Sequence, residues 1–71
     1  MSVLTAVIHR EEDMYIAECP EVGTVSQGST IEEAVANLKE ATELYTEEFP
    51  LEGDLKRAFV TAFEVPQVAR T

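Results

Sequence analysis

The stretch that decides the fold is Ser26-Gln27-Gly28-Ser29-Thr30-Ile31-Glu32-Glu33-Ala34. Its first residues read as the end of a short strand, Thr24 to Gln27, broken by Gly28. A helix begins directly after it. The Thr30 hydroxyl can accept from the Glu33 amide while the Glu33 carboxylate reaches back, the reciprocal arrangement of a capping box. Glu32 and Glu33 in the first turn also complement the positive end of the helix dipole. Beyond this start, Ile31, Ala34, Val35, Leu38, Ala41, Thr42 and Tyr45 recur at three- and four-residue spacing and form one apolar stripe. Pro50 stops the helix and Phe49 closes the end of the stripe.

Working outward, Val3-Leu4-Thr5-Ala6-Val7-Ile8-His9 is rich in β-branched residues and reads as a strand. Arg10-Glu11-Glu12-Asp13 is a charged turn, and Met14 to Glu18 is a second strand, so residues 3–18 form an antiparallel hairpin. Pro20 and Gly23 then break the chain. On the other side of the helix, Leu51 to Lys56 is a loop around Glu52-Gly53-Asp54. Ala58-Phe59-Val60-Thr61-Ala62-Phe63-Glu64-Val65 reads as a final strand ending at Pro66. The expected fold class is α+β, strand-strand-strand-helix-strand, with one sheet and a single helix packed on one face. Residues 1–71 form a single domain.

In the first strand, Val3, Thr5 and Val7 oppose Leu4, Ala6 and Ile8. In the last, Phe59, Thr61, Phe63 and Val65 oppose Ala58, Val60 and Ala62. Both sides of both strands are largely apolar, as in strands covered on two faces. One helix covers one face only. A second copy of the chain or another protein is therefore expected on the other.

Composition narrows the function. Fourteen acids against five bases give a net charge of −9, which repels phosphate backbones and draws basic proteins. No direct nucleic-acid binding is expected. No apolar run approaches the ~18 residues that suggest a membrane span, and residues 1–10 lack the features of a secretory signal. The single Cys19 cannot form an internal disulfide, which fits a reducing cytoplasm.

No catalytic, cofactor or metal site is expected, and the chain does not read as an enzyme. Two-metal nuclease chemistry needs converging carboxylates, whereas the first strand has no acid and Glu18 and Glu64 are isolated. His9 has no nucleophile partner. Cys19 before Pro20 reads as a small buried hydrophobe, and one cysteine with one histidine falls short of a zinc site. The turn at Ser26–Thr30 could suggest an anion site at a helix N-terminus, but Glu32 and Glu33 directly behind it oppose one. The helix carries Glu32, Glu33, Glu40, Glu43, Glu47 and Glu48 against Lys39 alone, a solvated acidic side or a docking surface for a basic partner.

Tyr15-Ile16-Ala17-Glu18-Cys19-Pro20-Glu21, Val25-Ser26-Gln27-Gly28-Ser29-Thr30-Ile31-Glu32-Glu33-Ala34 and Asn37-Leu38-Lys39-Glu40-Ala41 together resemble the HicB antitoxin family. The likeness runs from about Val3 to Val65. It implies a partial RNase H-like fold with the same element order. It also implies that the module binds a small basic HicA-type toxin, an mRNA-cleaving ribonuclease, and occludes its active site. Glu33, Glu40, Glu43 and Glu47 are the partner-binding residues expected on that reading, and association into a dimer or larger homo-oligomer accompanies it. The alternative is a stand-alone homo-oligomeric domain without a cognate toxin. The sequence departs from the family in two places. The loop Pro20–Thr24 is shorter than usual, and only Gln67 to Thr71 come after Pro66, so no separate DNA-binding domain is expected.

Overall fold

A computed structural model describes residues 3–50 and 58–67 of the chain. Its elements are β1 (Val7–Glu11), β2 (Met14–Cys19), β3 (Thr24–Gly28) and α1 (Ile31–Glu48). The strands form one antiparallel sheet in the order β1-β2-β3, and α1 packs on one side of it, over β3 and β2. Among the described residues this is an α+β fold with a single sheet and a single helix.

The first hairpin is tighter and lies further along the chain than the sequence suggests. Glu11 pairs with Met14, so the connection is the two residues Glu12 and Asp13, and Arg10 and Glu11 belong to the strand. Glu12 takes φ of 55°, the left-handed region such short hairpins use. The Arg10 Nε donates to the Glu12 carbonyl at 3.0 Å across this turn. At the other end, Val7 pairs with Glu18. Residues 3–6 therefore run past the point where β2 turns away at Pro20 and have no ladder partner there, although the pattern of alternation suggests a strand from Val3. The β2–β3 connection is a four-residue turn. The Cys19 carbonyl accepts from both Val22 N–H (3.3 Å) and Gly23 N–H (2.7 Å), and Gly23 has φ of 95°, a conformation open to glycine at little cost.

Between β3 and α1 the chain reverses within two residues, which brings the helix backbone onto the strand end. A Cβ on Gly28 would lie 2.6 Å from the Ala34 backbone nitrogen and 2.9 Å from the Glu33 carbonyl carbon. Neither atom is the tip of a flexible side chain, so only glycine fits. The helix start is capped as the sequence predicts on one side: Glu33 N–H donates to Thr30 Oγ1 at 3.0 Å. The returning carboxylate reaches one residue further back than a capping box requires. Its Oε1 accepts from the Ser29 N–H (2.6 Å) and the Ser29 hydroxyl (2.7 Å). At the far end, Phe49 N–H donates to the Tyr45 carbonyl, and the two rings stack with centroids 4.9 Å apart.

The core is small. Among the described residues Ala17, Cys19, Ala34 and Leu38 are its buried hydrophobic members, with Leu4, Ile8, Tyr15 and Val22 packed at its margin. Two polar tethers fix the helix to β3. Thr24 and Thr42 share a hydroxyl–hydroxyl hydrogen bond of 2.7 Å, and Asn37 Nδ2 donates to the Gln27 carbonyl at 2.9 Å. The opposite side of the sheet is mixed rather than apolar. The cross-strand rows there are Val7–Glu18–Val25 and His9–Ile16–Gln27, so charged and polar residues separate the aliphatic ones.

The final strand expected over Ala58–Val65 is not formed in the single chain: residues 58–67 have no regular secondary structure and join no ladder. β-propensity and alternation are present in that segment, but a strand exists only where another strand supplies its hydrogen bonds. The loop expected over residues 51–56 lies outside the described residues.

The close approach at Gly28 generates a direct expectation. Gly28→Ala forces backbone apart from backbone and lowers unfolding free energy by about 1–3 kcal/mol, the range for overpacking a site that cannot relax. Urea denaturation followed by far-UV circular dichroism measures it; an unchanged midpoint would contradict this packing.

Candidate protein-docking surfaces

Two surfaces stand out, and α1 contributes to both. The first is the outward side of α1. At 3.6 residues per turn, Glu33, Glu40, Glu43 and Glu47 fall within an arc of about 80°, opposite the buried Ala34, Leu38 and Thr42. All four are exposed. The structure thus brings the four sequence-predicted residues to one stripe, but it does not leave them equivalent. Glu33 is engaged by the Ser29 amide and hydroxyl, and these bonds hold its carboxyl below the usual pKa of a glutamate. Its carboxylate belongs to the helix cap. Glu40, Glu43 and Glu47 have no side-chain partner among the described residues and remain available, with the exposed Leu44 beside them.

The second surface is a groove of about 490 Å³ between residues 4–6 and α1, lined by Leu4, Ala6, Cys19, Val35, Leu38 and Thr42 among others. It lies on the helix side of the sheet, where α1 covers β3 and β2. The wall formed by residues 4–6 is held by Glu21, a residue whose importance the sequence does not reveal. Glu21 Oε1 accepts from the Thr5 N–H at 3.0 Å and Oε2 from the Thr5 hydroxyl at 2.6 Å. The Cys19 thiol donates weakly to Oε1 at 3.5 Å. The Thr5 hydroxyl and amide hold the Glu21 carboxyl down to a pKa of about 2, from an ordinary value of 4.5. An acid in a turn beside Pro20 carries no signal of this. Its partner is 16 residues away, and only the fold brings them together.

Other residues singled out in the sequence sit apart from both surfaces or inside the core. His9 is exposed on the far side of the sheet, with Nε2 3.4 Å from Glu11. Cys19 is buried as a small core side chain. Among the described residues no group of three or more His, Cys, Asp or Glu side chains is placed to hold a metal ion, and no helix is long and apolar enough to cross a membrane.

Glu21 makes the groove wall sensitive to acid. Because its pKa is lowered on folding, the clamp contributes fully above about pH 4.5 and is lost as pH falls toward about 2. Hydrogen exchange at the Thr5 amide is expected to be protected at neutral pH and to lose that protection in this window. Glu21→Gln should abolish the pH dependence, and a Thr5 amide unprotected at pH 7 would show that the clamp does not form.

A protein of Helicobacter pylori named UPF0150 protein is 50% identical to this chain over 44 residues, which is 61% of this chain and 61% of that relative. The chain thus matches less than two thirds of the relative's length. No established family profile matches the chain, and no solved structure matches it.

Proposed function

We propose that this chain is a HicB-like antitoxin module, which neutralises a small basic mRNA-cleaving toxin of the HicA type by covering its active site. The observation that carries the reading is the acidic stripe of Glu40, Glu43 and Glu47 on the outward side of α1. It stands beside the motif resemblance of residues 15–41. A nuclease that grips RNA presents Lys and Arg where phosphates bind. An acidic helix competes for those same cations, and the net charge of −9 raises the encounter rate with such a surface. Inhibition of this kind is stoichiometric and uses no catalytic group or cofactor. The expected setting is the cytoplasm, where the toxin's substrate is found.

A second reading is a stand-alone homo-oligomer without a toxin. Exposed apolar side chains outside the acidic stripe favour self-association, which is compatible with either role.

The experiment is an mRNA-cleavage assay with the product of a neighbouring small basic gene. Cleavage should fall linearly with added chain and vanish at a fixed stoichiometric ratio. Glu40→Lys, Glu43→Lys and Glu47→Lys combined should weaken binding by roughly 10- to 100-fold, and more at low than at high salt. Circular dichroism would confirm that the helix persists in the triple variant. Absence of binding and inhibition with every such gene product would remove the antitoxin reading and leave the homo-oligomer.

A further inference from the structure

All three phenylalanines of the chain are exposed in the single copy: Phe49 at 58%, Phe59 at 92% and Phe63 at 84%. Among the described residues the largest fully buried side chain is that of Cys19. A soluble domain with an aliphatic core this small does not leave its largest apolar groups in water without a use for them.

Phe59 and Phe63 lie four residues apart in a stretch of alternating character, so in an extended conformation they share one side with Thr61 and Val65. The small Ala58, Val60 and Ala62 occupy the other. Glu64 is the only charged residue among residues 58–65, and the segment contains no proline or glycine. It has the makings of a strand and has no ladder.

The sheet has a matching vacancy in its pairing. β3 is one edge, and there Asn37 covers the Gln27 carbonyl while α1 packs above. β1 is the other edge, and among the described residues its outer side meets no strand. An open edge next to an apolar groove is a template for strand addition. Leu4 and Ala6 continue from β1 along that groove, across from Val35, Leu38 and Thr42 of α1. An eight-residue strand is roughly 27 Å long, enough to run along β1 and the residues that precede it.

We propose that residues 58–65 of one copy add to the β1 edge of a second copy, and reciprocally, giving a strand-exchanged dimer in which Phe59 and Phe63 fill the groove beside α1. A second copy, rather than the chain's own return, is indicated by the extension of the single chain. Its Cα radius of gyration is 14.8 Å, against about 11 Å for a compact chain of this length. Two-fold exchange makes each edge and each segment both donor and recipient, the self-complementary arrangement closed dimers use. The four exchanged phenylalanines alone bring roughly 600–1,000 Å². With the groove walls they cover, the contact exceeds the ~1,000 Å² of a specific interface. Of the acidic stripe only Glu43 reaches the rim of the groove. Glu40 and Glu47 point further round the helix, so most of the −9 charge of each chain does not converge on this contact.

Sedimentation of the full chain across about 1–100 μM should give a dimer, and Phe59→Glu with Phe63→Glu should weaken it by at least about 100-fold. An isotope-filtered measurement on a mixture of ¹³C-labelled and unlabelled wild-type chains decides the occupant even if that variant fails to fold. Contacts between the Phe59 or Phe63 ring of one chain and Leu4 or Leu38 of the other are expected. A wild-type monomer at about 100 μM, a dimer undiminished in the variant, or ring contacts confined to one chain would each overturn the proposal. None of these outcomes bears on toxin neutralisation, which the cleavage assay decides separately.

Discussion

The fold turns on the approach of two backbones where β3 passes into α1. Gly28 allows the helix nitrogen of Ala34 to sit where a side chain would otherwise be, and Thr30 and Glu33 capture the groups this sharp reversal leaves unpaired. Everything above the sheet is positioned from this point. Once the helix leaves at this angle, Ala34 and Leu38 fall on Ala17 and Cys19, and Thr42 reaches Thr24. A helix starting one residue later would rotate its apolar stripe by about 100° and lose these contacts.

The small residues in this interface arise from the same constraint. A helix drawn so close to the sheet leaves room for Ala17, Cys19 and Ala34 but not for aromatic rings. Close packing of small groups gives precise placement and modest burial. Fully burying a Phe or Leu side chain contributes ~1.5–3 kcal/mol, and among the described residues this core holds one leucine and no phenylalanine. A 71-residue chain already buries a smaller fraction of its surface than a larger domain. The deficit and the exposed Phe59 and Phe63 are two sides of one arrangement, in which the larger apolar groups lie outside the helix–sheet contact.

Charge and apolar surface are kept apart by the helix itself. Its buried side meets β2 and β3, its outward side carries Glu40, Glu43 and Glu47, and the groove opens along the flank between them. One helix thereby serves two surfaces of different chemistry. The Glu21 clamp links the groove to the first turn after β2, so that the wall formed by residues 4–6 depends on a single carboxylate.

Local pattern alone determined the helix, its Thr30 start and its stop, the third strand, and that a hairpin precedes them, though not that hairpin's bounds, because these depend on neighbours within a few residues. Thr30 with Glu33 marks the helix start, and the acidic stripe comes from its 3.6-residue period. The tertiary structure decided what depends on distant partners. Strand alternation at Val3–Ala6 and Ala58–Val65 does not specify pairing, because a strand needs a second strand opposite it. The outward side reads as apolar over Val3, Thr5 and Val7, yet the strand that forms is Val7–Glu11, which adds His9 to that side, and register sets Glu18 beside Val7 and Val25 and Gln27 beside Ile16. Glu33 resembles its neighbours on the stripe in everything but the hold of Ser29. Glu21 gains a role only where the fold sets it against Thr5. Residue type and spacing record what a segment prefers; only the folded chain places the groups that satisfy it.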